Sequence, residues 1–166
     1  RTESTVQVAT VLMLDLSLSM PMRDNFVPAK KVAMALHSLI STQFPRDYLG
    51  VVTFSEVARE IKPERIPEVS WDYVYGTNMQ HGLVLARQML ARQTGTRQII
   101  MVTDGEPTAH IENGRPYFSY PPTYRTLQET LREVLRCTQE GIVINTFMLE
   151  TGTYLIDFID RLTPGA

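Results

Sequence analysis

The stretch VQVATVLMLDLSLSM, residues 6–20, decides the fold class and contains the first candidate site residues. Residues 6–14 are almost entirely apolar, as is typical of a strand that is covered on both faces of its sheet. The apolar run ends at Asp15, and the polar side chains Ser17 and Ser19 follow at alternate positions. We therefore predict a buried strand that leads into a short polar loop.

Strand and helix patterns alternate along the rest of the chain. Apolar residues recur every three or four positions in the helices, whereas the strands are short apolar runs between turn residues. Further strands are predicted over residues 49–55, 57–62, 98–103 and 142–149. Helices are predicted over about residues 25–44, 78–90, 127–141 and 155–162. This alternation indicates an α/β fold with a doubly wound, mostly parallel, Rossmann-like central sheet flanked by helices, and residues 57–62 form one short antiparallel edge strand.

The composition is that of one globular domain over residues 1–166. The chain is 43% hydrophobic and 20% charged, with a formal net charge of −2, and it is long enough to bury a core. A nucleic-acid partner is not expected because no basic stripe is visible. No apolar run approaches the ~20 residues that cross a bilayer. The chain opens at Arg1 rather than Met, so we expect it to be an excised piece of a longer protein.

Cys137 is the only cysteine, so neither an internal disulfide nor a multi-cysteine zinc site can form. It falls within a helical pattern, and we predict a buried structural thiol. A domain without disulfides is compatible with a reducing compartment, and we therefore expect a cytoplasmic location.

Three predicted loops carry polar residues that we expect to meet at one edge of the sheet. In open α/β sheets, ligands bind beyond the carboxyl ends of the strands, where the strand order reverses. Asp15 and Asp104 each follow a predicted strand, and Thr77 stands at the predicted N-terminus of a helix. Together with Ser17 and Ser19, they form a candidate metal-binding set.

The chemistry of this set is narrow, because it contains two carboxylates and three hydroxyls but neither sulfur nor imidazole. Such oxygen ligands suit Mg²⁺, Mn²⁺ or Ca²⁺ rather than Zn²⁺. Only two protein charges would face the dication, which would stay electrophilic toward one further anionic ligand. Taken singly, each residue has an ordinary explanation as a turn or helix-cap residue. Their joint placement is what favours a metal site.

The residues around these positions resemble the metal-ion-dependent adhesion site (MIDAS) of von Willebrand factor type A (VWA) domains. The resemblance is carried by DLSLSM at residues 15–20, GTN at residues 76–78 and VTDGEP at residues 102–107. These segments match the three loops of that site in order and in spacing. The resemblance covers nearly the whole chain, from Val6 to about Leu162.

The VWA resemblance implies that Ser17, Ser19 and Thr77 are hydroxyl ligands of the ion, for which we expect Mg²⁺. It implies that Asp15 and Asp104 act on the ion directly or through water. It further implies an open coordination position that receives an Asp or Glu of a protein partner, and hence a binding module that is not an enzyme. The motifs are most similar to intracellular prokaryotic members, which commonly work with AAA-type ATPases in assembly or chelatase systems.

Two features depart from the family pattern. Leu18 stands between the serines where the family usually has Gly, and we expect it to narrow access or change partner choice without removing a ligand. Family domains also usually end in a sixth strand, which we expect to be missing from this chain. An exposed sheet edge would result.

Residues 105–124 are predicted to form a long loop that begins beside Asp104. Loops of this length are usually functional or disordered, and aromatic side chains favour contact surfaces. The aromatic residues here are Tyr117, Phe118, Tyr120 and Tyr124. We hypothesise that the loop forms one wall of a partner surface; the alternative is that it folds onto its own domain. We expect His110, within this loop, to lie at the surface.

Two other functions stay open from the sequence. The first is a Mg²⁺-dependent phosphoryl-transfer enzyme, because haloacid-dehalogenase-like phosphatases also place an Asp after their first strand. Those enzymes need a second acid where this chain has Ser17, and no suitably placed lysine follows Asp104. The second is a scaffold domain that binds no metal.

Overall fold

A computed structural model of the chain describes residues 7–149. The strands of this part are β1 (Val8–Asp15), β2 (Tyr48–Phe54), β3 (Ala58–Ile61), β4 (Thr96–Thr103), β5 (Ala109–Glu112), β6 (Arg115–Phe118) and β7 (Val143–Met148). The helices are α1 (Ser19–Met22), α2 (Phe26–Gln43), α3 (Met79–Leu90) and α4 (Tyr124–Gln139), and a 3₁₀ helix covers Pro63–Glu68. The helix predicted over residues 155–162 lies outside the described residues.

The described residues form a five-stranded sheet in the order β3-β2-β1-β4-β7. β1 pairs in parallel with β2 and β4, and β7 pairs in parallel with β4, whereas β3 runs antiparallel to β2. From β1 the chain fills one side of the sheet and then crosses to β4 on the other side, so the strand order reverses between β1 and β4. The predicted doubly wound, mostly parallel α/β sheet with one antiparallel edge strand is confirmed.

β1 lies at the centre of the sheet, and its side chains alternate between two apolar clusters. Val11 and Met13 pack in the cluster that includes residues of α3 and α4, whereas Leu12 and Leu14 pack with residues of α2. All four side chains are fully buried. The apolar run in the sequence is therefore explained by helices that cover both faces of the strand.

The prediction of a long loop over residues 105–124 was wrong, because β5 and β6 form an antiparallel hairpin within this segment. The two turn residues, Asn113 and Gly114, have φ angles of 52° and 77°. Positive φ at both positions is typical of the two-residue hairpin turn that an Asn-Gly pair favours. The Asn-Gly dipeptide was the sequence signal for this hairpin.

Helix α4 presents its polar side to the domain. Its buried side chains are those of Thr126, Thr130, Glu133 and Cys137. Its exposed leucines are Leu127, Leu131 and Leu135. The Glu133 carboxylate pairs with Arg136 and with Arg87 of α3, whose Nε lies 3.2 Å from Oε2. Two cationic side chains thus compensate the buried charge of Glu133, and these ion pairs join α3 to α4. Cys137 lies beside them and is buried, as predicted.

A pair of leucine substitutions tests this arrangement of the core. Leu83 on α3 is fully buried, whereas Leu131 on α4 is 57% exposed. Leu83→Ala is expected to lower the free energy of unfolding by about 2–5 kcal/mol, because it removes buried contacts and leaves a cavity. Leu131→Ala is expected to change it by less than about 1 kcal/mol. Urea denaturation of both variants measures the difference, and equal losses would contradict the observed orientation of α4.

Candidate metal centre

The buried carboxylate of Asp15, the last residue of β1, is the innermost part of the candidate site. The backbone N–H of Ser17 donates to its Oδ1 at 2.8 Å, and the Thr103 hydroxyl donates to its Oδ2 at 2.6 Å. Burial raises the pKa of Asp15 from 3.8 to about 6, even though both hydrogen bonds oppose the shift. The two hydrogen bonds thus hold the carboxylate in one orientation. A cation bound nearby would favour the charged form of this carboxylate.

A chain of hydrogen bonds links the two serines to the second carboxylate. The Ser17 and Ser19 hydroxyl oxygens lie 3.1 Å apart, and the Ser19 hydroxyl donates to Asp104 Oδ1 at 2.9 Å. The Asn25 amide lies 3.4 Å from Asp104 Oδ2, and Arg23 Nη1 donates to the Asp104 carbonyl at 3.1 Å. The loops that follow β1 and β4 therefore meet at these oxygens.

Thr77 reaches the site from the loop before α3, and hydrogen bonds fix its backbone. Its N–H donates to Thr108 Oγ1 at 2.9 Å, and its carbonyl accepts from the N–H groups of Thr108 and Ala109 at 3.0 and 3.2 Å. The N-cap of α3 is Asn78, whose Oδ1 accepts from the His81 N–H at 2.8 Å. Because Asn78 caps α3, helix capping does not account for a threonine at position 77.

A cavity of about 660 Å³ opens beside these groups, and Ser19, Thr77 and Asp104 line it. Asp15 and Ser17 are fully buried and connect to the cavity through the contact between the two serines. The structure thus brings all five predicted site residues to one edge of the sheet, at the reversal of strand order. Their role as metal ligands stays a prediction.

The donor set fits a hard divalent cation. Within residues 7–149, no group of three or more His, Cys, Asp or Glu side chains is placed to hold a metal, so neither a thiolate or imidazole cage nor a carboxylate-rich cage is present there. Two carboxylates with three hydroxyls are ligands that Mg²⁺ and similar cations accept. Asp15, Ser17, Ser19, Thr77 and Asp104 are the residues that would hold such an ion.

Further polar contacts hold the neighbouring loops in place. The Asn78 N–H donates to the Ser55 carbonyl at 2.7 Å, and the Ser55 hydroxyl donates to Asp72 Oδ2 at 2.6 Å. The Asp72 N–H in turn donates to the Leu16 carbonyl at 2.8 Å. The loop that follows the 3₁₀ helix therefore ties the start of α3 to the loop that carries the two serines.

Sequence reasoning missed several residues that support the site. Thr103, Thr108 and Arg23 hold the backbone or the carboxylates of the predicted set. Asn25 is the N-cap residue of α2, in agreement with the helix predicted from about residue 25, but its side chain makes no capping hydrogen bond and its amide lies against Asp104. The weak signal for Thr103 and Thr108 was their position, since both are polar residues within five positions of Asp104.

The family model described as "Rv0959-like protein, vWA domain" matches residues 8–165. The chain belongs to this family of von Willebrand factor type A domains. The family expected from the three motifs is confirmed, and so is the fold that it implies.

Relatives of this VWA domain occur in mycobacteria. Protein Rv0959 of Mycobacterium tuberculosis (strain ATCC 25618 / H37Rv) is 36% identical over an alignment of 167 residues that covers 97% of this chain and 25% of Rv0959. Protein Mb0984 of Mycobacterium bovis shows the same identity and coverage. The VWA domain therefore spans about a quarter of the length of these relatives.

Solved structures share the fold of the VWA domain. The pilus adhesin SpaC of Lactobacillus rhamnosus GG has a TM-score of 0.70 at 18% identity, over 98% of this chain and 28% of SpaC. Proximal thread matrix protein 1 of the mussel byssus, in a structure with a zinc-occupied MIDAS motif, has a TM-score of 0.65 at 20% identity, over 92% of this chain and 39% of that protein. At such identities the likeness establishes the fold alone.

Three further expectations can be compared with the structure of the VWA domain. Leu18 is half-buried, its N–H donates to the Val74 carbonyl at 2.8 Å, and it is not among the described residues that line the cavity. His110 was expected at the surface but is 1% exposed, with Nδ1 2.8 Å from Thr126 Oγ1. In the described part of the chain, no helix has the length and apolar character of a membrane span.

The raised pKa of Asp15 predicts a specific pH dependence for the metal-free VWA domain. The folded state keeps the Asp15 proton up to about pH 6, whereas the unfolded chain loses it near 3.8. Between these values the folded state binds more protons, so stability falls as pH rises, by on the order of 3 kcal/mol. Asp15→Asn is expected to lack this loss.

Urea denaturation of the chelator-treated protein between pH 4 and pH 7 measures the effect as the difference in free energy of unfolding between wild type and Asp15→Asn. Asp24→Asn, which removes the same charge from an exposed position, is the matched control. A difference between wild type and Asp15→Asn that does not change with pH would contradict the assignment of a raised pKa to Asp15.

Proposed function

We propose that this VWA domain is a protein-binding module that depends on a divalent cation and accepts a carboxylate of its partner. The observation that carries the proposal is the hydrogen-bonded chain of Ser17, Ser19 and Asp104, which leads from the buried Asp15 to an open cavity lined by Thr77. Oxygen donors of this kind, gathered where strand order reverses, are a site for a hard cation and an anionic ligand.

The residues of the chain prepare the site by fixing oxygen atoms before any ligand arrives. Thr103 and the Ser17 N–H orient the Asp15 carboxylate, and Asn25 lies against the Asp104 carboxylate. A bound dication would supply the electrophilic position for an anionic oxygen. Only two carboxylates oppose its charge, and the Arg23 guanidinium at the cavity adds a further positive charge for an incoming carboxylate.

The ion that we propose is Mg²⁺, with Mn²⁺ and Ca²⁺ as alternatives. A compact set with few charged ligands suits Mg²⁺, which keeps part of its water shell, better than Ca²⁺, which takes six to eight oxygen ligands. The structure of the mussel protein contains zinc in its MIDAS motif, and Zn²⁺ therefore belongs in the same titration.

The proposed partner is a protein that presents an Asp or Glu side chain. The resemblance to intracellular prokaryotic VWA domains points to an AAA-type ATPase or its assembly system, and to a cytoplasmic location. We propose that residues 1–166 act as one unit within a longer protein, which is consistent with relatives of about four times this length. Adhesion is the described role of one structural neighbour, the pilus protein SpaC.

The residues around the cavity give less support to the phosphoryl-transfer alternative than to the binding module. No lysine is among the described residues that line the cavity, and Ser17 occupies the position of the second acid. Hydrolysis of p-nitrophenyl phosphate in Mg²⁺ is therefore expected to stay at the background rate. Turnover that Asp15→Asn abolishes would replace the binding module with an enzyme.

Metal binding is tested by calorimetric titration of Mg²⁺, Mn²⁺, Ca²⁺ and Zn²⁺ into the chelator-treated chain. Saturable one-to-one binding is expected, and Asp104→Asn is expected to weaken it by more than about 10-fold, because a charged ligand becomes neutral. Asp24→Asn removes the same charge from an exposed residue outside the cavity and is expected to bind like wild type.

Ser17→Ala distinguishes the binding module from the scaffold alternative. It removes one candidate ligand hydroxyl without changing the charge, and only the metal-dependent module requires that hydroxyl. Weaker ion binding by this variant, measured in the same titration, is the expected result. If no cation binds even with acetate present, the scaffold alternative becomes the better account.

A further inference from the structure

Part of the lining of the cavity at the candidate metal centre is apolar, and this part is called the apolar wall. The apolar side chains that line it are Met22, Tyr75, Phe118, Tyr120 and Met148. They come from α1, the loop before Thr77, the end of the hairpin, the segment between the hairpin and α4, and the end of β7, and each is at least 41% exposed. Large apolar side chains that gather around a cavity while exposed to water mark a contact surface.

Another part of the lining of the same cavity is suited to an anion. Ser19, Thr77 and Asp104 of the candidate metal centre line it, together with Arg23. Arg23 donates through Nη1 to the Asp104 carbonyl at 3.1 Å, which places its guanidinium beside the candidate ligands. A cavity of about 660 Å³ is within the range of ligand sites and has room for more than one side chain.

The apolar wall is held in position by the rest of the domain. The Tyr75 hydroxyl donates to Met22 Sδ at 3.2 Å, which joins two of its members. Phe118 and Tyr120 flank Ser119, whose N–H donates to the Thr108 carbonyl at 3.0 Å. The backbone that carries Phe118 and Tyr120 is therefore held by a hydrogen bond, so a ligand would have to order side chains but not a whole loop.

We propose that the cavity binds a protein segment in which a large apolar residue, aromatic or aliphatic, lies within two positions of an Asp or Glu. The carboxylate occupies the end formed by the candidate metal centre and Arg23, and the apolar side chain packs against the wall at Phe118 and Tyr120. This inference rests on the proposed function and adds to it the chemical class of the partner segment. The acid alone would leave the apolar wall exposed.

The test uses the 166-residue chain and a display library of ten-residue peptides with a fixed central Asp or Glu and random flanking residues. Selection in Mg²⁺, repeated in Mn²⁺, is expected to enrich aromatic and large aliphatic residues within two positions of the acid. Replacing the enriched apolar residue by Ser is expected to weaken peptide binding about 10-fold or more, as measured by fluorescence anisotropy.

Matched variants assign this preference to the wall. Tyr120→Ser and Phe118→Ser are expected to bind the enriched peptide about 10-fold more weakly, while the calorimetric affinity for the cation is unchanged. Tyr124→Ser is the control, because Tyr124 is 78% exposed, against 75% for Tyr120, and does not line the cavity. It is expected to bind the peptide like wild type.

The outcomes separate this inference from the proposed function. Peptides selected for the acid with random flanking residues would overturn the apolar pairing and leave the metal-dependent module intact. The apolar pairing would also be overturned if the cation bound but no peptide were enriched, or if Tyr120→Ser and Tyr124→Ser bound the enriched peptide equally well. If neither cation binding nor acidic peptides are found, the proposed function fails and this inference fails with it.

Discussion

The burial of one carboxylate at the end of the central strand is the constraint on which the rest of the structure depends. Asp15 is the last residue of β1, the central strand of the five, and its side chain is fully buried. An ionised group in such a place is costly unless donors or cations surround it. The Ser17 N–H and the Thr103 hydroxyl provide the donors, and this requirement places the loop after β1 against the end of β4.

The same polar contacts make three loops into one unit. Asp104 accepts from Ser19, and the Thr77 backbone exchanges hydrogen bonds with Thr108, which lies just before the hairpin. The loop after β4 is therefore joined both to the loop that carries the serines and to the loop that carries Thr77. Such mutual support is what a cation site needs, because ligand oxygens must be held in place before the ion binds.

The fold could be predicted from the sequence because its strongest signals are local. An apolar run as short as residues 8–14 favours a doubly covered strand over a helix. Polar residues that directly follow parallel strands lie at the same edge of the sheet, where ligands bind. The remainder depends on tertiary contacts. The inward polar face of α4 depends on Arg87 of α3, which together with Arg136 compensates the buried charge of Glu133. The Asn25 side chain at the start of α2 makes no capping hydrogen bond, and its amide lies against Asp104 of a distant loop.

The hairpin of β5 and β6 is an insertion in the connection between β4 and α4, and it pairs only with itself among the described strands. None of the five candidate ligands belongs to it, yet its end supplies part of the cavity wall. The five candidate ligands and this part of the cavity lining therefore lie in separate stretches of the chain. Beyond Ala109, whose N–H donates to the Thr77 carbonyl, the hairpin sequence can be exchanged without replacing a candidate ligand, which makes this segment a natural place to redirect the domain toward a different partner.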